Sequence, residues 1–82
     1  MRKDIVVTLQ SIVTELPPSS NGARMLSSLL GRLALGRMTP YTARNMFLYA
    51  KEDSSEYPTE AERAALTLAY EELCHVVAAE HT

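Results

Sequence analysis

Cys74 and His75 supply the thiol and imidazole that nucleophilic catalysis would require, but they are adjacent in the chain. Neighbours on a helix point about 100° apart, so a thiolate–imidazole dyad would need a distorted backbone. Cys74 instead shares a side with Tyr70, Leu73 and Val77, where it reads as a buried structural thiol. Glu71 and His75 stand four apart, with Glu72 between them and His81 beyond, a set with metal-ligand chemistry. Two ligands on one helix and a third near its end read more plainly as a solvated Glu–His pair. Gly22, Gly31 and Gly36 are too dispersed for a phosphate-cradling loop. The expectation is a non-catalytic protein with no metal and no cofactor.

Charge is the feature with a functional slant. The net charge of −2 conceals an uneven distribution. Residues 16–50 carry Arg24, Arg32, Arg37 and Arg44 and no acid, whereas residues 51–82 carry eight acids against Lys51 and Arg63. Converging arginines would suit phosphates or a carboxylate-rich protein surface. A helix-turn-helix reading is available, with Gly36-Arg37-Met38 as the turn and a second helix presenting Tyr41, Thr42, Arg44, Asn45 and Leu48. A pI near 5.6 and the acidic final third oppose the long-range attraction that dominates DNA affinity. Position 32, four before the turn glycine, is arginine where that motif favours a small residue.

A protein partner fits more of the chain. No charge lies between Asp4 and Glu15, which leaves Val7, Thr8, Gln10, Ser11 and Thr14 as an outward face of intermediate polarity, the composition of interface cores. Ser27, Ser28 and Gly31 make a small, uncharged surface that another helix could approach closely; the plainer reading places Gly31 at a helix crossing within the same domain. Tyr41, Tyr49 and Tyr57 are candidate exposed anchors, or tyrosines packed at helix margins with the hydroxyl in water. Opposed charges also permit a homo-oligomer, with an acidic last helix of one copy meeting the arginines of another in a two-fold dimer.

Four helices must position these groups. Apolar residues at 5, 6, 9, 12, 13 and 16 follow helical spacing over about 3–16, against the strand preference of a segment rich in β-branched residues. Pro17-Pro18 stops that helix. Ser20 or Asn21 caps a second over about 23–35, whose stripe is Leu26, Leu29, Leu30 and Leu33 and whose stop is Gly36. Thr39-Pro40 starts a third over about 40–52, with Ala43, Met46, Phe47 and Ala50 inward. Thr59-Glu60-Ala61-Glu62 is a capping box opening a fourth over about 60–79, with Leu66, Ala69, Tyr70, Leu73 and Val77 inward.

Eighty-two residues, 46% of them apolar and 22% charged, make one domain, an all-α four-helix bundle or pair of helical hairpins. A single cysteine excludes the disulfide-stapled secreted class and fits a reducing, cytoplasmic compartment. Arg2 and Lys3 ahead of Ile5-Val6-Val7 suggest a signal peptide only superficially, and no apolar run reaches membrane-spanning length.

From Leu26 to Cys74 the order of a leucine-rich helix, the turn Gly36-Arg37-Met38-Thr39, a second helix, an acidic loop and a final helix resembles the layout of small helical biofilm and stress connector proteins of enteric bacteria. That resemblance implies a regulator acting on another protein. The expectation is therefore a regulatory adaptor or inhibitor, of the kind phages and plasmids also carry, that binds a protein; a DNA-binding regulator using the third helix and a structural subunit of an oligomer are the alternatives. Solvated Glu71 and His75 predict that a chelator leaves the melting temperature unchanged, and a fall of several degrees would reinstate a metal.

Overall fold

The computed structural model describes residues 3–81, and side chains over 5–80. Four helices follow one another: α1 (Lys3–Thr14), α2 (Asn21–Ala34), α3 (Pro40–Ala50) and α4 (Glu60–His81). They form an all-α four-helix bundle, as the apolar spacing predicts.

In α1 burial overrides intrinsic propensity. Ile5 and Leu9 are buried, and Val6, Ile12 and Val13 pack against the core half-buried. Each β-branched residue costs at most about 0.7 kcal/mol in helix propensity, whereas burying an isoleucine or leucine side chain is worth about 1.5–3 kcal/mol. The helix stops at Thr14, two residues earlier than the apolar spacing predicts. The amides of Glu15 and Leu16 donate to the Ile12 and Val13 carbonyls (3.2 and 3.0 Å) in a tightening last turn. Leu16 lies beyond the helix yet is buried.

Ser20 is the cap of α2: its side chain accepts from the Ala23 amide (3.2 Å), so the helix begins at Asn21, ahead of the expected start. At the other end Gly36 adopts φ +72°, and the amides of Arg37 and Gly36 donate to the carbonyls of Arg32 (2.8 Å) and Leu33 (3.1 Å). Only a left-handed residue closes the helix in this way. Thr39 caps α3 by accepting from the Thr42 amide (3.2 Å), with Pro40 in the first turn. This helix ends at Ala50, short of the expected 52, because the chain enters a tight loop in which Asp53 Oδ1 accepts from the amides of Ser55 and Glu56, each at 3.1 Å. Continuous apolar spacing carries α4 to His81, past the expected 79.

At the start of α4 the capping box is joined to a second helix. The amide of Glu62 donates to Thr59 Oγ1 (3.2 Å), while Glu62 Oε1 accepts from the Thr59 amide (3.3 Å) and hydroxyl (2.8 Å). Glu62 Oε2 accepts from the Gly22 amide at 2.9 Å, in the first turn of α2. One carboxylate thus satisfies orphan amides at the starts of two helices, and Glu62 is only 4% exposed. Asn21 Nδ2 donates to the Glu56 carbonyl (2.9 Å) and the Tyr57 hydroxyl to Met25 Sδ (2.8 Å), binding the same loop to α2. These contacts bring the starts of α2 and α4 to one end of the bundle, and Leu16, just past the end of α1, lies against Gly22 there, so α1 runs antiparallel to α4.

The long α4 packs against all three other helices; α1 packs on α2 and α4, and α3 packs on α4 far more than on α2. Leu9, Leu26, Leu33, Phe47, Leu66 and Leu73 are the largest fully buried side chains. Several expectations change. Met46 is exposed, whereas Ala43 and Phe47 are the buried side chains of α3. Tyr57 is buried under the loop, so it is no surface anchor, and burial followed by the charge of Glu56 raises its phenol pKa. Cys74 is half-buried on the flank of α4 rather than in the core. A Cβ on Gly31 would meet nothing within 4 Å, so no helix crosses there.

The two α2 glycines predict opposite responses. A Cβ at Gly22 would lie 3.0 Å from Glu62 Cγ and 3.1 Å from its Cβ, a side chain pinned by its hydrogen bonds. Gly22→Ala is expected to destabilise by about 1 kcal/mol, while Gly31→Ala stabilises by about 0.5–1 kcal/mol by removing helical glycine entropy. In a chain of this size each kcal/mol moves the melting temperature by roughly 4–8 °C, so a thermal melt reads both signs.

Glu62 also predicts an acid limit. Its carboxyl is held below its ordinary value of 4.5, first by the Gly22 amide and then by Thr59. A depressed folded value gives stability that is complete above 4.5 and drains as pH falls through the folded value. Melting temperature is expected to decline with acid below that point, and Glu62→Gln to lower it at neutral pH while flattening the decline. An unchanged acid slope in Glu62→Gln would refute this origin.

Candidate functional site

On α3 the inward residues Ala43, Phe47 and half-buried Ala50 leave the opposite side of the helix open. That side carries Tyr41 (52% exposed) and Tyr49 (76%), with Leu48 also exposed and Asn45 half-buried. Arg44 is fixed among them: its Cζ stands 4.9 Å from the centroid of the Tyr41 ring, and its Nε and Nη2 donate to Asn45 Oδ1 at 3.3 and 2.9 Å. Arg44 thus touches both Tyr41 and Asn45, all three singled out by type.

The other arginines are arranged differently. Arg24 and Arg32 are exposed on α2, eight residues or about 12 Å apart along the axis, and exposed Arg37 follows the Gly36 turn. Among the described residues the ion pair present is Lys51–Glu52 (2.9 Å), so the acids of α4 do not neutralise the arginines.

On α1 Val7 is 61% exposed, and Gln10, Ser11 and Thr14 are exposed with it. Ser11 Oγ donates to the Val7 carbonyl (3.2 Å) and Thr14 Oγ1 to the Ser11 carbonyl (2.7 Å), which turns their polarity back on the helix. Beside this face an open groove of about 410 Å³ runs between α1 and α4. Thr8, Ser11, Ile12 and Glu15 form one wall; Ala65, Leu68 and Glu72 form the other. On α2, Ser27 and Gly31 are exposed.

Where α3 meets α4, the Lys51 ammonium lies 5.2 Å from the Tyr70 ring centroid and bonds Glu52, which raises its pKa. The Tyr70 phenol is pushed up in pKa, chiefly by the neighbouring Cys74 side chain. His75 and Glu71 are exposed and Glu72 half-buried, while the His81 side chain lies outside the described residues. Among the described residues no group of three or more His, Cys, Asp or Glu is placed to hold a metal ion, and no helix is long and apolar enough to cross a membrane.

Comparison with protein-family models, curated proteins and solved structures finds no match to this chain. Its function is therefore constrained by its own surfaces. Sequence reasoning missed the α1–α4 groove, although Leu68 stands off the Leu66, Ala69, Leu73 stripe and so marks an apolar position outside the core.

Proposed function

We propose that this chain is a non-catalytic regulatory protein, of adaptor or inhibitor type, that binds another protein through the outer side of α3. The observation that carries this reading is the pairing of exposed Tyr41 and Tyr49 with an arginine already held in place by Asn45 and the Tyr41 ring. Tyrosine and arginine dominate the energetics of protein interfaces. Holding the guanidinium before contact reduces the rotamer entropy lost on binding, and the ring contact itself is worth about 0.5–1 kcal/mol. A base-reading helix would present free polar and basic groups; here the guanidinium is already engaged by Asn45 and the Tyr41 ring, and Leu48 and Tyr49 are exposed on the same helix. Charge-free Leu48 and Tyr49 extend the contact along the helix.

Capture of a partner from the native host's extract tests the assignment. Tyr41→Ala and Tyr49→Ala are each expected to weaken a captured partner about thirtyfold, the loss typical of a hot spot, with the melting temperature unchanged. Undiminished capture by the double variant removes α3 from the interface. Salt-dependent retention on heparin that disappears in Arg37→Glu plus Arg44→Glu would replace this reading with DNA binding.

A further inference from the structure

The α1–α4 groove and the outer face of α2 are complementary in charge, spacing and relief. Ile12, Ala65 and Leu68 give the groove an apolar lining, and Leu68 remains 52% exposed within it. Glu15 stands on the α1 wall and Glu72 on the α4 wall. Each wall spans eight residues, about 10 Å from end to end, and the helices run antiparallel, so the two carboxylates occupy opposite ends as well as opposite sides. Neither forms an ion pair among the described residues.

The outer face of α2 carries the matching pattern. Arg24 and Arg32 are about 12 Å apart along the axis and rotated about 80° from each other, so they flank a strip formed by Ser28 and Leu35. Leu35 is exposed, and a Cβ on Gly31 beside it meets open space, which leaves a shallow side against which another helix can seat. Residues 16–50 hold no acid to repel the groove. Because α2 turns its buried side to α1 and α4, its outer face points away from the groove of its own chain.

We infer that the acidic α1–α4 groove receives the outer face of α2 from a second copy of this chain, Arg24 and Arg32 pairing with Glu15 and Glu72. Groove and helix face are different surfaces, so the contact is heterologous rather than the two-fold contact expected from charge alone, and assembly proceeds head to tail until a ring closes or a chain extends. A face about 21 Å long buries less than the roughly 800 Å² per partner of a standard interface. Association is therefore concentration-dependent and sensitive to salt.

Sedimentation of the full chain tests this. At high concentration and about 0.01 M salt the mean mass is expected to exceed the 9.1 kDa of one chain at least twofold, and to return to it at about 1 M salt. Arg24→Glu with Arg32→Glu, and separately Glu15→Lys with Glu72→Lys, are each expected to remain at one chain mass; mixing the two reversed proteins restores assembly, because each then offers the charge the other needs. Gly31→Leu abolishes assembly with the melting temperature retained, and Arg24→Gln with Arg32→Gln serves should a reversal unfold the chain. A single-chain mass under every condition overturns the inference. Assembly that survives both reversals, or a mixture that stays dissociated, also overturns it.

Discussion

The carboxylate of Glu62 is the constraint on which the bundle's geometry rests. It accepts from the Gly22 amide with one oxygen and from the Thr59 amide and hydroxyl with the other, at 4% exposure. A buried carboxylate survives only when its lone pairs are filled, and here the donors are the otherwise unsatisfied amides at the start of one helix and the cap of another. Satisfying both with one group fixes the distance between α2 and α4. Gly22 is required at that point because its missing side chain admits Glu62 Cγ and Leu16 Cδ1. The end of α1, the start of α2 and the start of α4 are consequently tied at one end of the molecule.

That arrangement determines which surfaces remain free. With α2 held to α4, the long helix occupies the middle of the bundle and α3 has α4 as its principal packing partner. A helix packed on one side only, with its buried side filled by Ala43 and Phe47, presents the rest of its circumference to solvent. Tyr41, Leu48 and Tyr49 occupy that circumference, while α1 leans on α4 closely enough to share a core and openly enough to leave the groove lined by Ile12 and Leu68. Both candidate surfaces follow from α4 being shared by three neighbours.

Local chemistry was readable from the residues and long-range pairing was not. The Thr39-Pro40 start of α3, the Gly36 stop of α2, the Ser20 cap and the Thr59/Glu62 box each concern residues within a few positions of one another, so their physics is contained in the sequence window. The bond from Gly22 to Glu62 spans forty positions, and nothing near Gly22 signals a distant carboxylate. Tyr57 was misread for the same reason: its loop position suggests exposure, but Met25, thirty-two positions away, accepts from its hydroxyl. For Gly31 it is the plainer reading, a helix crossing within the domain, that fails, since the glycine faces open space here. The Tyr41, Arg44 and Asn45 set was legible as types, and only the fold showed Arg44 in contact with the other two.

Electrostatics supplies the remaining link between packing and association. Had the acids of α4 folded over the arginines of α2 and α3, the uneven charge along the chain would be spent internally on pairs worth little at a surface. Instead Arg24, Arg32 and Arg37 are exposed, Arg44 bonds an amide, and Glu15 and Glu72 border a groove. Separated surface charges repel or attract other molecules over about one Debye length, roughly 10 Å at 0.1 M salt, so the same distribution that adds little to folding acts outward. Steering by such fields raises encounter rates and fixes orientation more than it adds affinity. On the proposed reading, the charges would orient an approaching surface, and the exposed apolar side chains on α3 and in the groove would supply the area that holds it.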